Sequence, residues 1–221
     1  MARSASDTRE KLISVGSKLF ADSGVFQVPL RTVIEQAGQK NTSALHYHFG
    51  GRDGLLQAII ERHNSSIEAE REHMLAEIRD NDRIGDVRAL VTAVVVPFAR
   101  KLETPEGREF LRVVAQLSEL FDAWEQPGPK TPEQAQTAFF MLASALDLSP
   151  PMRHERVTTF LMLVCDALAL RARQIDRGRS LNVDDDGFVA NLIDMCVGAV
   201  QAASVSVSVG ANSSGATHPA R

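Results

Sequence analysis

Residues 38 to 54 read GQKNTSALHYHFGGRDG, and this stretch decides the fold. Glycines mark a turn at each end, and a short helix fits between the two turns. Asn, Thr, Ser, Tyr and two His side chains fall within residues 41–48. A helix that only packs inward does not need so many hydrogen-bonding groups, whereas base edges and phosphate oxygens suit them well. The function of the chain therefore depends on what surrounds this helix.

Two further helices are predicted before it. The first spans residues 8–23, where Asp7 can act as the cap and Glu10 as its capping-box partner. Gly16 lies on its buried face and permits close approach by another helix, and Gly24 ends it. The apolar positions of this face follow helical spacing: Leu12, Ile13, Leu19 and Phe20.

The second helix spans residues 29–37 and begins at Pro29, which suits a first turn. The third follows the turn at Gly38 and ends at Phe49, with Asn41 or Thr42 as its cap. Leu45 and Phe49 anchor it inward and leave Ser43, His46 and Tyr47 outward. Two short helices joined by a glycine-bearing turn, the second of them polar, indicate a helix-turn-helix.

Longer helices are predicted for the rest of the chain, and no strand alternation is convincing. Their ranges are 52–80, 83–102, 106–124, 131–146, 151–176 and 185–203. Residues 205–221 are rich in Ser, Gly and Ala and are predicted to be disordered. No apolar run is long enough for a membrane span, and the polar N-terminus predicts no secretory signal. The sequence therefore predicts an all-α fold located in the cytoplasm.

Charge is divided unevenly along the chain. The total is −4, yet residues 1–54 hold seven Lys/Arg and five Asp/Glu, which leaves −6 for the remainder. A weakly basic head on an acidic body lets the head approach phosphates. Cys165 and Cys196 lie in apolar helical surroundings, where buried free thiols are expected; a disulfide or a redox sensor is the other interpretation.

This pattern resembles the TetR family of bacterial transcriptional regulators over residues 8–60. The resemblance is carried by LFA at 19–21, VIEQAG at 33–38, LHYHFG at 45–50, Arg52 and the leucine pair at 55–56. It implies a helix-turn-helix DNA-binding domain at 1–50 and a helical effector-binding and dimerisation domain at 51–204. It also implies a ligand-responsive repressor that acts as a homodimer on a double-stranded DNA operator. The effector is an unknown small molecule, and no cofactor or membrane partner is expected.

The same resemblance implies roles for single residues. Thr42, Ser43 and His46 would read bases, with Asn41 beside them in a turn that is one residue longer than usual. Phosphate contacts would come from both short helices and from the start of the fourth helix: Arg31, Thr32, Tyr47, His48 and Arg52. His46 stands where the family more often has Tyr.

Two further residue sets are predicted in the body. Aromatic side chains either fill the core or line the effector pocket that the resemblance implies: Phe98, Phe110, Phe121, Trp124, Phe140 and Phe160. The last two helices carry wide apolar faces, which pairing with a second copy would bury in a four-helix interface. The expected interface residues are Phe160, Val164, Leu168, Phe188, Leu192, Met195 and Ala199.

Some features of the sequence allow other interpretations. His46 and His48 point about 200° apart on a helix and cannot share a metal ion, so no metal site is expected. The run Asp184 to Asp186 fits a helix start, where negative charge is favourable, better than a calcium loop. An enzyme on a helical bundle, or a ligand-binding protein with a degenerate head, stays open, although no nucleophile–base pair or phosphate loop is recognisable.

Overall fold

A computed structural model describes residues 5–39, 43–117 and 132–203. These residues form helices joined by turns, with no strand among them, so the all-α prediction is confirmed. The helices are α1 (Ala5–Ser23), α2 (Leu30–Gln36), α3 (Ala44–Phe49), α4 (Arg52–Asp80), α5 (Val87–Ala99), α6 (Pro105–Val114), α7 (Glu133–Ala145), α8 (Pro150–Asp176) and α9 (Asp185–Gln201). Residues 205–221, the predicted tail, lie outside the described part.

The head is built by α1, α2 and α3 against the start of α4. Leu12, Phe20 and Val33 are fully buried at its centre. A Cβ at Gly16 would lie 3.0 Å from Cδ2 of Leu55, which confirms that this glycine allows close approach of α4. The helix α1 begins at Ala5, earlier than predicted, so Asp7 lies in its first turn instead of capping it. There its negative charge still favours the helix through the dipole.

The body is built around α5, which is buried along most of its length. Asp86 caps this helix by accepting a hydrogen bond of 2.9 Å from the Ala89 N–H. Pro97 lies inside α5, and the chain tightens into a 3-10 turn at Arg100–Glu103. The regular helix ends at Ala99, three residues before the predicted end. Likewise α6 ends at Val114, whereas the sequence pattern predicted a helix as far as residue 124.

One long helix joins the two cores. Leu55 and Ile59 of α4 belong to the head core, and Ile67 and Leu75 belong to the body core. The end of α6 also contributes to the head core through Val113, and Leu117 just beyond α6 does the same. The boundary predicted between residues 50 and 51 stays a prediction, although the apolar core of the head reaches beyond it.

The two last helices are fixed to each other by a buried arginine. Arg171 on α8 donates to the Asp185 carboxylate at 2.8 Å and to the Val183 carbonyl oxygen at 2.8 Å. Its guanidinium also lies 5.0 Å from the centre of the Phe188 ring. These contacts hold the first turn of α9 against α8.

Both cysteines are buried and unpaired, as predicted. Burial raises the pKa of the Cys165 thiol to about 12 and that of Cys196 to about 11. Both groups are therefore protonated at neutral pH and act as small apolar side chains. Across the described ranges, no helix is both long and apolar enough to cross a membrane.

Candidate nucleic-acid interface

The polar helix α3 lies on the surface of the head and is held by one side. Leu45 is only 2% exposed, and Phe49 packs against the same core. The guanidinium of Arg9 covers the Phe49 ring from outside, at 5.4 Å from its centre. Gly50 ends the helix in the left-handed conformation and donates its N–H to the His46 carbonyl oxygen at 2.8 Å. A six-residue helix with one buried face is thus presented to solvent.

Four of the seven predicted contact residues that the structure describes lie on or next to this helix. Ser43, His46 and Tyr47 are exposed, and 83% of Tyr47 is accessible. His48 is half-buried, with its ring edge-on to the Tyr47 ring at 5.1 Å between centres. Asn41 and Thr42 lie outside the described residues. The exposed groups can donate and accept hydrogen bonds, which is what base edges and phosphates require.

The contact residues predicted on α2 differ in their surroundings. Arg31 is exposed and pairs with Glu35 one turn later at 2.7 Å. An exposed pair of this kind contributes little and can exchange its carboxylate for a phosphate. Thr32 is half-buried, and its backbone N–H bonds the Pro29 carbonyl oxygen at 3.0 Å. Both roles stay predictions.

Arg52, for which a phosphate contact is predicted, makes its hydrogen bonds within the head. Its guanidinium donates to the Val25 carbonyl oxygen and, at 2.7 Å, to that of Val28. It also lies over the Phe20 ring, 5.5 Å from the centre. Because its donors point into the loop between α1 and α2, Arg52 fixes that loop to the start of α4. This positioning role is an alternative to the phosphate contact implied by the resemblance, which stays a prediction.

Sequence reasoning also missed Gly54, which sets the distance between α3 and α4. A Cβ at this position would lie 1.8 Å from the Phe49 carbonyl oxygen. Only glycine therefore lets the first turn of α4 pass so close to the last residue of α3. The available signal was a glycine in a predicted first helical turn, where it has no propensity advantage.

Polar contacts join the head to the body. The side chain of Gln116, just beyond α6, accepts from the Val25 N–H at 2.8 Å and donates to the Phe20 carbonyl oxygen at 3.1 Å. Arg112 on α6 pairs with Asp22 of the head at 2.9 Å and with Asp176 of the body at 3.2 Å. These contacts connect α6 and the residues that follow it to the end of α1.

A cavity of about 290 Å³ lies at this junction between α1, α4 and α6. His63 on its wall stacks on Phe110 with 4.6 Å between ring centres. Burial, followed by the nearby Lys101 and Arg62, lowers the pKa of His63 from 6.5 to about 4. The other wall residues are Ser14, Val15, Ser17, Lys18, Arg62, Glu106 and Glu109.

The pKa of His63 predicts a loss of stability in acid. In the unfolded chain this imidazole binds a proton near pH 6.5, whereas in the folded chain it does so only near pH 4. The unfolded state therefore binds more protons between these values, and its free energy falls relative to the folded state as pH decreases. We expect the urea concentration at the unfolding midpoint to decrease as the pH is lowered from 6.5 to 4. The slope of this midpoint against pH should be smaller in His63→Gln than in the wild type. His73→Gln, at an exposed position of the same helix, should keep the wild-type slope; equal slopes in all three proteins would contradict the prediction.

Of the predicted effector residues that the structure describes, only Phe160 lines either of the two cavities described in this section. Phe110 and Phe160 are buried in the body core, and Phe98 is half-buried at 6.0 Å from Phe110 between ring centres. Phe140 is 41% exposed on α7, so the pocket role predicted for it is not supported by its placement. Phe121 and Trp124 lie outside the described residues.

Most of the residues predicted for the dimer interface are buried within the chain. Phe160, Val164, Leu168 and Leu192 are each at most 3% exposed, because they lie in the core of the body within one chain. Phe188 is half-buried under Arg171, whereas Met195 and Ala199 are exposed. The apolar side chains that face outward on these helices are Met162, Leu170 and Met195. A cavity of about 350 Å³ opens between the same helices and is lined by Phe160, Leu163, Ala199 and Ala202 among others.

Part of the chain is similar in sequence to known transcriptional regulators. No protein-family model matches the chain. It is 27% identical over 113 residues to the HTH-type transcriptional regulator SrpR of Pseudomonas putida, covering 51% of this chain and 48% of that one. It is also 27% identical over 113 residues to the uncharacterized HTH-type transcriptional regulator TtgW from a strain of the same species, covering 51% of this chain and 76% of that one. The chain thus spans about half the length of the first relative.

One solved structure is similar to this chain in fold. It is a putative TetR-family transcriptional regulator from Rhodococcus sp., matched with a TM-score of 0.50 and 19% identity. The match covers 89% of this chain and 100% of that one. At this identity the likeness is one of fold.

Proposed function

We propose that this chain, which has the fold of TetR-family transcriptional regulators, is a sequence-specific DNA-binding regulator that acts as a homodimer and responds to a small molecule. The observation that carries the proposal is α3: its apolar side is buried through Leu45, and its polar side, with His46 and Tyr47, is open to solvent. Helix-turn-helix proteins place such a helix in the major groove. Repression is the expected mode, and the cytoplasm is the expected location.

In this proposal each copy contributes one α3 to one of two successive major grooves, about 34 Å apart. Tyr47 and His48 contact phosphates and fix the position on the duplex, as does Arg31 once it releases Glu35. Ser43 and His46, together with Thr42 and Asn41 from the preceding turn, read base edges. Arg52 serves the same purpose indirectly, by holding the loop that carries Val25 and Val28.

The effector would act through α4 and α6, which belong to both cores. A molecule that separates these helices in the body also moves Arg112 and Gln116, and with them the end of α1. The spacing of the two α3 helices in the dimer would then no longer match the operator. Such a switch needs an effector that binds the released state more tightly than the DNA-bound state.

The experiment is a gel shift with the DNA upstream of the gene itself, where regulators of this kind would meet an inverted repeat. Replacing Tyr47 or His46 by Ala should weaken binding by about tenfold or more, since each side chain is lost twice in a dimer. Tyr47→Ala should weaken all sequences alike, whereas His46→Ala should also relax discrimination at one base pair. Replacing exposed His73 on α4 should have no effect.

An enzyme, or a ligand-binding protein with a degenerate head, predicts another result. Neither variant of α3 would then change any activity of the protein, and no duplex would bind specifically at low salt. Unchanged affinity in both Tyr47→Ala and His46→Ala would likewise remove α3 from the interface.

The homodimer is tested at Met195, which is 54% exposed on α9 next to α8. On the proposed interface, Met195→Glu would bring two carboxylates into an apolar contact, and their desolvation opposes association. We expect the dimer dissociation constant, measured by sedimentation, to rise by about 10- to 100-fold. Ile84→Glu is the matched control, since Ile84 is 51% exposed in the turn between α4 and α5. An unchanged dimer in Met195→Glu would place the interface elsewhere.

A further inference from the structure

A buried arginine in the body has one donor without an acceptor. Arg71 on α4 is 1% exposed, and its Nη2 has no hydrogen-bond partner among the residues that the structure describes. Each of the other two nitrogens has an acceptor: Nη1 donates to the Glu68 carboxylate, and Nε donates to the Ala93 carbonyl oxygen at 3.3 Å. The guanidinium also lies 5.7 Å from the centre of the Phe98 ring. A buried donor left unpaired is costly, so it calls for an explanation.

The paired side of Arg71 is explained by the fold. In an α-helix the Ala93 carbonyl oxygen would accept from the N–H of residue 97, but that residue is Pro97 and has no N–H. Arg71 supplies the missing donor. A structural role for the arginine therefore accounts for Nε and leaves Nη2 unused.

The charge of Arg71 is also accounted for. One carboxylate oxygen of Glu68 pairs with Nη1, and the other accepts from the backbone N–H groups of Gln134 at 2.8 Å and Ala135 at 3.3 Å, in the first turn of α7. The pair is thus electrically neutral and joins α4, α5 and α7. No further anion is needed beside it.

We propose that Arg71 Nη2 anchors the effector, and that the effector is a neutral, largely apolar molecule with an oxygen acceptor such as a carbonyl group. This inference rests on the proposed effector-responsive function and names the ligand class. A neutral oxygen satisfies the donor without adding charge. A carboxylate ligand would add a buried negative charge to the neutral pair. A protonated amine would place a second positive charge beside the guanidinium. Burying either unpaired charge in an apolar core is costly. A pure hydrocarbon would leave Nη2 unpaired.

The position of Arg71 also connects such a ligand to the head. Neither of the two cavities described above is lined by Arg71, so the ligand must separate side chains packed in the body core. The helices α4, α5 and α7, which meet at Arg71 and Glu68, would move apart together with these side chains. One of these is α4, whose first turns carry Leu55 and Ile59 of the head core.

The experiment uses the full chain and three probes with the same eight-carbon frame: 2-octanone, octanoate and octylamine. Binding is measured by calorimetry and by the shift in melting temperature. We expect 2-octanone to bind and to raise the melting temperature more than the other two probes. Arg71→Lys keeps the positive charge beside Glu68 but lacks the second guanidinium edge. It should therefore weaken ketone binding by about tenfold or more. Lys101→Met, a half-buried cation outside this network, is the control and should bind the ketone like the wild type.

A merely structural arginine would give another result: Arg71→Lys would melt earlier, yet the ketone would bind it as tightly as the wild type. That result, tighter binding of octanoate than of 2-octanone, or no binding of any probe at saturation would each overturn the proposal. If Arg71→Lys does not fold, the ranking of the three probes on the wild-type protein decides. Operator binding in the absence of probe is measured separately, and its failure would count against the proposed function and not against this ligand class.

Discussion

Replacing Gly54 by Ala is expected to weaken operator binding by more than about 100-fold and to lower the free energy of unfolding by about 3 kcal/mol. The added methyl carbon would lie 1.8 Å from the carbonyl oxygen of Phe49 and 2.8 Å from its carbonyl carbon. Both atoms belong to the backbone, so no side-chain rotation can relieve the overlap. The last residue of α3 and the first turn of α4 must move apart until the contact reaches at least 3.0 Å.

This movement shifts α3, the helix that is proposed to enter the major groove. A shift of about 1 Å misaligns base contacts, because hydrogen bonds weaken steeply with distance and angle. We therefore expect affinity for the operator to fall by more than about 100-fold, the equivalent of roughly 3 kcal/mol. Urea unfolding followed by circular dichroism gives the stability, and fluorescence anisotropy with a labelled duplex gives the affinity.

Gly85→Ala is the matched control for this variant. A Cβ at Gly85 meets no atom within 4 Å, and the residue lies in the turn between α4 and α5. Its stability and operator affinity should equal those of the wild type. If Gly54→Ala also matches the wild type, then the close approach of Phe49 and Gly54 does not hold α3 in its place.

Which helices form, and which side of α3 faces outward, could be predicted from the sequence. Leu45 and Phe49 are four residues apart, and this spacing alone places both on one side of a helix. The polar residues between them are then left to solvent, and the structure has Tyr47 exposed as expected. Capping and turn signals are local as well, and the start of α4 at Arg52 was predicted correctly.

The partners of these elements could not be predicted in the same way. A helical period shows that a face is buried but not what buries it, so Val164 and Leu192 were assigned to a dimer although their own chain covers them. Both α8 and α9 carry apolar residues on more than one side. Only the packing of the whole body separates inner positions from outer ones such as Met162 and Met195.

Polar pairings over long sequence distances were equally hidden. Arg52 bonds backbone carbonyl groups 27 and 24 residues away, and such groups carry no sequence signal because every residue has one. The same holds for Arg71 and the Ala93 carbonyl oxygen. In that case the sequence contains one indication, Pro97. A proline inside a helical pattern predicts that the carbonyl oxygen four residues earlier lacks its usual N–H donor.

Arg52→Ala separates a positioning role from a phosphate contact. The substitution removes hydrogen bonds from a charged donor to the Val25 and Val28 carbonyl groups, and it uncovers the Phe20 ring. Each bond of this kind contributes about 1.5 kcal/mol or more, so we expect the free energy of unfolding to fall by about 3 kcal/mol. Operator affinity should fall as well, because the loop between α1 and α2 is no longer fixed to α4.

The salt dependence of binding then identifies the mechanism. A side chain that neutralises a phosphate contributes about one unit to the slope of log affinity against log salt concentration. If Arg52 holds the loop, its removal weakens binding at every salt concentration and leaves the slope unchanged. Arg31→Ala is the matched comparison, because this exposed arginine pairs with the exposed Glu35 and is predicted to contact a phosphate. It should lower the slope by about one for each copy in the dimer and leave stability almost unchanged. A lower slope in Arg52→Ala, together with wild-type stability, would contradict the positioning role. It would support the phosphate contact that the resemblance implies.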